Sequence, residues 1–211
     1  MPRESLRTRP GIEADLERGG WEQTEIQRET LFEMPMMRVR GGTRRYEDQR
    51  TRDALRTATD DKIDQQLRFF AVTRLSFEPP PPPGVSPTMF APTLRSEACR
   101  TFKKRLGERG LTAIEQRSSD RIRLPDRSRA RLTQFSATDP LEGAGNDLPL
   151  ECWVAVWTSA GTVRVVTGGY PAVTLGSHFG LDTEDGPLTV TPDEYRREFV
   201  SLLRGVVEAD Q

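Results

Sequence analysis

Apolar and polar residues alternate along several stretches of the chain, a period of two that is typical of strands burying one face. The first such stretch begins at Trp21, directly after two glycines. The later strand-like segments cover residues 67–77, 114–124, 129–135, 150–158 and 162–167. Short turn sequences near Pro125 and Gly161 separate the last four segments, which are therefore predicted to form two hairpins.

Apolar residues spaced three and four positions apart predict helices over residues 48–58, 93–109 and 191–209. The last of these carries the most complete set of signals. Thr191 suits the N-cap position and Glu194 completes a capping box, in which each side chain accepts from the backbone N–H of the other residue. The apolar stripe expected to face the sheet consists of Tyr195, Phe199, Leu202, Leu203 and Val206.

Two glycine pairs are interpreted as turns. Gly41-Gly42 stands between two extended segments and predicts a two-residue hairpin, because the turns favoured there need residues with positive φ. Gly168-Gly169 opens a stretch rich in turn residues that ends at Leu188. This stretch, residues 168–188, is predicted to be a long loop.

The order of predicted elements is hairpin, helix, strand, helix, two hairpins and helix. Such an order favours an α+β fold, a mostly antiparallel sheet with packed helices, over a parallel sheet. A chain of 211 residues suits one domain and is long enough to bury a core. We predict an N-terminal segment, residues 1–20, with a short helix over 12–18, followed by a single α+β domain, residues 21–211.

This order resembles the fold of the PsbP family, named for the extrinsic oxygen-evolving protein of photosystem II. The resemblance rests on the hairpin through Gly41-Gly42, the helix after Tyr46-Glu47-Asp48, the hairpin from Trp153 to Val166 and the helix from Thr191. It implies an α/β/α sandwich. Because that fold hosts binding and structural proteins of several kinds, the resemblance implies no particular chemistry.

The charges nearly cancel, with 31 basic and 32 acidic residues and a net charge of −1. A chain without an excess of positive charge lacks the global field typical of nucleic-acid-binding proteins, so a nucleic acid partner is unlikely. The basic residues are 28 arginines and three lysines. This preference, the many threonines and the acidic end at Glu208-Ala209-Asp210 resemble uncharacterised haloarchaeal proteins.

No apolar run approaches the roughly 20 residues that span a bilayer, so no membrane association is expected. The first ten residues carry charges and no apolar core of a secretory signal. These features predict a cytoplasmic protein.

Few residues could carry catalysis or bind a metal. Cys99 falls on a helical pattern and Cys152 on a strand pattern, so both are expected to be small core residues. His178, the single histidine, lies in the predicted loop and would have to serve in any Ser-His or Cys-His pair. We expect it to carry no chemistry, and we expect no catalytic residue, no metal and no cofactor.

An arginine-rich hairpin, residues 117–131, is the candidate binding surface. Arg121 and Arg123 share one strand face, and Arg129 and Arg131 share a face of the predicted partner strand. These four arginines could bind phosphate groups or an acidic protein. Alternatively, acidic neighbours neutralise an ordinary solvated face; the candidates are Glu115, Asp120 and Asp126.

The sequence favours a non-enzymatic binding or interaction module with an unknown protein or small-molecule partner. A second interpretation is a small-molecule-binding or enzymatic pocket at the 168–188 loop. A third is weak binding of a polyanion or nucleic acid by the arginine-rich hairpin. A pocket with convergent polar groups would favour the second interpretation, and a flat charged face the third.

Overall fold

The computed structural model describes residue 16 and residues 19–34, 37–141 and 146–208. Within these ranges the chain forms a seven-stranded sheet in the order β1-β2-β3-β7-β6-β5-β4. The strands are β1 (Trp21–Met34), β2 (Met37–Asp48), β3 (Phe69–Glu78), β4 (Thr112–Arg123), β5 (Arg129–Asp139), β6 (Leu148–Ser159) and β7 (Thr162–Pro171). Every neighbouring pair is antiparallel, which confirms the predicted α+β fold class.

Four helices accompany the sheet in the described ranges: α1 (Gln49–Ala58), α2 (Ala91–Glu108), α3 (Leu175–Phe179) and α4 (Pro192–Glu208). Three of them confirm the helices predicted from the apolar spacing. The helix predicted over 12–18 lies outside the described residues except for Leu16. None of the helices in these ranges is both long enough and apolar enough to cross a membrane.

The sheet buries both faces, which explains the continuous apolar run along β6. Cys152 and Val154 point into a core shared with α1, α2 and α3, which we call the α2 face of the sheet. Trp153 and Trp157 point into a second core formed with α4, which we call the α4 face. Successive side chains of a strand point to opposite sides, so one strand supplies both cores.

Helix α4 has the predicted start and the predicted buried stripe. The Thr191 backbone N–H donates to Glu194 Oε2 at 2.8 Å, and the Glu194 N–H donates to Thr191 Oγ1 at 3.4 Å. Tyr195, Phe199, Leu202, Leu203 and Val206 are all buried. The capping box thus sets the helix start while the stripe covers the α4 face.

A buried ion cluster on the α4 face joins α1, α4, the end of β2 and the segment that leads into β3. The Arg68 guanidinium is paired with the carboxylates of Asp48 and Glu198 and lies 4.2 Å from the centre of the Tyr195 ring. Asp48 also caps α1, because its Oδ1 accepts from the Thr51 backbone N–H at 3.0 Å. The sequence interpretation did not identify Arg68.

The hairpin turn predicted at Gly41-Gly42 is wrong. Both glycines lie inside β2, where Gly41 pairs with Glu29 of β1 and with Leu75 of β3. A Cβ atom on Gly41 would lie 2.7 Å from Leu31 Cδ1. This glycine therefore permits close packing in mid-strand, and the early hairpin is the β1–β2 pair.

The predicted turn at Gly168-Gly169 is also wrong, since both residues belong to β7. A Cβ on Gly168 would lie 2.7 Å from Phe199 Cε2, and one on Gly169 would lie 2.5 Å from Phe69 Cε1. Aromatic rings from both faces press on the backbone here, which leaves no room for side chains. The predicted 168–188 loop accordingly begins after Pro171 and contains α3.

Candidate functional site

Helix α2 lies along the sheet and has a cavity on each side. Leu94, Phe102 and Leu106 form the buried stripe of the helix. One cavity, the apolar pocket, separates α2 from β1, β2, β3 and β7. The other, the basic cleft, separates α2 from β4 and β5.

The apolar pocket has a volume of about 290 Å³. Its walls are mostly aromatic and branched side chains contributed by α2 and the sheet, with Phe69, Leu75, Leu94, Phe102, Leu106 and Val165 among them. These residues belong to the core of the α2 face. The pocket therefore extends from this core to the surface, where the exposed residues Thr24 and Glu25 line it.

A few hydroxyl groups line the apolar pocket. Thr43 and Thr73, opposite each other on β2 and β3, join their Oγ1 atoms at 2.9 Å. Thr101 of α2 and Thr167 of β7 also line it. These groups place polar atoms within an otherwise apolar wall.

Charged residues surround the apolar pocket and are matched by partners. Arg45 Nε lies 3.0 Å from Glu25 Oε2. Arg105 of α2 forms an ion pair with Glu29 of β1, which connects the helix to the edge of the sheet. Arg109 lies 4.2 Å above the Phe69 ring. The border is thus polar without a strong excess of one charge.

The basic cleft is larger, with a volume of about 490 Å³. Arg95, Arg100 and Lys103 line it from α2, and Arg131 lines it from β5. Among the described residues that line this cleft, none is acidic. The cleft therefore presents four cationic side chains to one concave space.

The floor of the basic cleft is a short network of hydroxyl groups. Arg131 Nε donates to Ser119 Oγ at 2.7 Å. Ser119 Oγ lies 3.2 Å from Thr133 Oγ1. The Cys99 thiol also lines the cleft. Burial raises the pKa of this thiol, and a hydrogen bond with Thr133 offsets part of the rise.

The expectation that both cysteines are core residues is confirmed for Cys152 alone. Cys152 is fully buried, and burial raises the pKa of its thiol to about 12. Cys99 is half-buried because it lies beside the α2 stripe, at the border of the basic cleft.

The arginine-rich hairpin has the predicted geometry. Arg121 pairs with Arg131 across β4 and β5, and Arg123 pairs with Arg129. Residues directly opposite each other in an antiparallel pair point to the same face of the sheet. Arg131 enters the basic cleft, while Arg121, Arg123 and Arg129 are exposed. A binding role for these four residues stays a prediction.

Two of the three acidic side chains expected to neutralise these arginines have other contacts in the described structure. Glu115 pairs with Arg117 at 2.9 Å. Asp126 accepts from Ser128 Oγ at 2.6 Å and from Ser159 Oγ at 2.5 Å. Neither carboxylate is paired with one of the four candidate arginines.

His178 lies on α3 and lines neither cavity. Its ring centre is 4.9 Å from that of Phe179, and its Nε2 is buried without a hydrogen-bond partner among the described residues. The expectation that it carries no chemistry stays a prediction, as does a pocket at residues 168–188. Across the described part of the chain, no group of three His, Cys, Asp or Glu side chains is arranged to hold a metal ion.

Comparison with known proteins gives a family and distant structural neighbours. No curated protein matches the chain. The crystal structure of the Ran-binding protein Mog1p from Saccharomyces cerevisiae is similar over 88% of this chain and 95% of that chain, with 10% identity and a TM-score of 0.39. A point mutant of Mog1 has the same identity and coverage, with a TM-score of 0.38. The resemblance to the PsbP family stays a prediction. Residues 12–207 match the family described as Domain of unknown function (DUF6517), and the chain belongs to that family.

Proposed function

We propose that this protein is a non-enzymatic binding module that holds a small apolar molecule in the apolar pocket beside α2. The observation that carries the proposal is a pocket of about 290 Å³ within the core of the α2 face. Protein cores are normally packed as densely as organic crystals, with few voids larger than a water molecule. A core that leaves this much space open is therefore typical of a ligand site.

The lining defines the class of ligand. An engineered apolar cavity of about 150 Å³ binds benzene, so a pocket of about 290 Å³ has room for two fused or linked rings or a branched chain. The aromatic side chains Phe69 and Phe102 offer ring faces and edges for such a group. Thr101 and Thr167 offer hydroxyl groups to one or two polar atoms of the ligand.

The composition of the pocket favours binding over catalysis. Its described lining contains no histidine, serine, cysteine or lysine that could act as a nucleophile or base. The three glutamates that line it, Glu25, Glu47 and Glu97, are paired with Arg45, Arg52 and Arg100. The charged residues at its border are engaged in pairs such as Arg105 with Glu29. The sequence predicts a small-molecule site at residues 168–188. We instead place the site in the apolar pocket, on the side of α2 away from the basic cleft. The cytoplasmic location predicted from the sequence is kept as part of the proposal.

The test uses the uncharged fluorescent probe 1-naphthylamine, which has two fused rings and whose emission shifts to shorter wavelength in an apolar environment. We expect saturable binding to the full chain. Ala98 lines the pocket from α2, and Ala98→Phe should fill the space and abolish the signal. Ser96→Phe is the matched control, because Ser96 lies on the other side of the same helix. Circular dichroism and thermal unfolding establish that each variant is folded.

Two results would overturn this proposal. One is the absence of saturable probe binding to the folded wild-type chain. The other is unchanged binding in folded Ala98→Phe protein, which would place the probe elsewhere. If Ala98→Phe does not fold, Ala98→Leu makes the same test, because the smaller side chain causes less overpacking.

A further inference from the structure

We infer that the basic cleft is a second ligand site, which binds the diphosphate group of a small molecule. The inference rests on residues of α2, β4 and β5 that do not line the apolar pocket. It goes beyond the proposed function, and either could fail without the other.

The charge balance of the cleft is the first observation. Arg95, Lys103 and Arg131 form no ion pair with a carboxylate in the described ranges, whereas the fourth cation, Arg100, donates through Nε to Glu97 Oε2 at 3.0 Å. Like charges that face one concave space repel each other, and low-dielectric walls strengthen the field there. A bound anion would remove this repulsion and replace the missing carboxylates.

The donors are of the kind that bind phosphate. A guanidinium group presents paired N–H donors that match two phosphate oxygens, and an ammonium group adds a mobile point charge. The cleft holds both kinds, with Arg131 on β5 and Lys103 on α2. One phosphate would leave part of this charge unmatched, so we assign a group with two.

The floor holds one of these donors in position. Arg131 is half-buried, and its Nε is held by Ser119 Oγ at 2.7 Å, so the terminal nitrogens remain available for a ligand. Ser119 also lies 3.2 Å from Thr133 Oγ1. A guanidinium held by such contacts loses less freedom when it binds, which favours affinity.

The shape favours a small molecule over a nucleic acid. A volume of about 490 Å³ lies within the roughly 300–1,000 Å³ range of small-molecule sites. Arg121, Arg123 and Arg129 are exposed beyond the cleft. A long polyanion would need those three arginines, whereas a diphosphate compound enclosed in the cleft would not. The two ligand classes therefore depend on different residues.

The experiment measures binding by calorimetry at low ionic strength, where electrostatic contacts are least screened. Pyrophosphate, ADP and AMP are titrated separately. We expect pyrophosphate and ADP to bind and AMP to bind at least about tenfold more weakly, since it lacks a second phosphate and its charge-assisted contacts. If ADP binds more strongly than pyrophosphate, the diphosphate group belongs to a nucleoside diphosphate. If pyrophosphate binds more strongly, the ligand is the inorganic anion.

Cys99 supplies an independent reporter. Iodoacetamide, which is uncharged, should alkylate Cys99 slowly and leave Cys152 unmodified, because Cys99 is half-buried and Cys152 is fully buried. Pyrophosphate in the cleft should slow the modification of Cys99, as measured by mass spectrometry. Unchanged modification at saturating pyrophosphate would place the anion elsewhere and overturn the inference.

Two double variants separate the cleft from the exposed arginines. Arg131→Gln with Lys103→Gln should weaken pyrophosphate binding by about tenfold or more, as expected when charged hydrogen bonds are lost. Arg123→Gln with Arg129→Gln removes the same charge outside the cleft and should leave binding unchanged. If Arg131→Gln prevents folding, Lys103→Gln with Arg95→Gln replaces it, since both residues lie on α2.

Several outcomes contradict the inference. Equal losses of pyrophosphate affinity in the two double variants would indicate that the overall charge, and not the cleft, determines binding. Tight binding of heparin or DNA that depends on Arg123 and Arg129, with no binding of pyrophosphate, would indicate a polyanion surface instead. Measurement of 1-naphthylamine binding in the cleft variants distinguishes this failure from failure of the apolar pocket proposal.

Discussion

Arg68, the residue before β3, and Asp48 at the end of β2 form an ion pair that is nearly removed from solvent, with side-chain exposures of 7% and 1%. The same guanidinium pairs with Glu198 of α4 and lies near the rings of Trp21 and Tyr195. A single side chain thereby links the end of β2, the start of β3 and α4. Because Asp48 is buried with it, this residue should contribute strongly to stability.

We expect Arg68→Ala to lower the free energy of unfolding by about 3–5 kcal/mol, because it leaves the buried Asp48 carboxylate without its partner. Denaturant unfolding measures the change. Arg52→Ala is the control: its pair with Asp64, at 2.6 Å, is partly exposed, with side-chain exposures of 31% and 47%, and its removal should have a much smaller effect. Equal effects of the two variants would contradict the structural role of the Arg68 cluster.

Gly169→Ala should destabilise the fold by about 1–3 kcal/mol through overpacking. The new Cβ would lie 2.5 Å from Phe69 Cε1 and 3.1 Å from Cys152 Sγ. Gly107→Ala is the matched control, since Gly107 is in α2 and the nearest atom to its Cβ is 3.9 Å away. That change should stabilise the protein or leave it unchanged, because alanine favours helix. Thermal unfolding of both variants tests the contrast.

Phe199→Ala should cost about 3–5 kcal/mol of unfolding free energy, as large-to-small changes in a core do. Phe199 is 4% exposed and its ring centre is 6.0 Å from Phe70 and 6.3 Å from Trp153. Its loss would leave a cavity between α4 and the sheet. A cost below about 1 kcal/mol in denaturant unfolding would contradict this packing.

The capping box of α4 predicts a dependence of stability on acidic pH. Hydrogen bonds from the backbone and hydroxyl of Thr191 lower the pKa of Glu194. A carboxylate whose pKa is lowered in the folded state stabilises the fold at pH values above its unfolded pKa, about 4.3. This stabilisation is lost as the pH falls through the folded pKa. Wild-type protein should therefore lose more stability in this window than Glu194→Gln, as unfolding at several pH values would show. Parallel stability profiles of the two proteins would contradict the expectation.

Local sequence signals predicted the elements whose structure depends on near neighbours. The start of α4 follows from Thr191 and Glu194, which bond each other's backbone. The shared face of Arg121 and Arg123 follows from the period of two along a strand. The basic residues Arg95, Arg100 and Lys103 also lie on one side of a helix that the sequence predicts, so their clustering could have been recognised from helical periodicity.

Only the tertiary structure decided what these elements face. Gly41 and Gly168 were interpreted as turn residues because glycine permits positive φ, yet they are glycines because Leu31 and Phe199 pack against the backbone there. Arg68 pairs with Glu198, which is 130 positions further along the chain, and no local pattern records such a pair. The strand order likewise places α2 between β1–β2 on one side and β4–β5 on the other, which creates the apolar pocket and the basic cleft. Periodicity indicates which face of an element is buried, but the neighbours of that face are determined by contacts between segments distant in sequence.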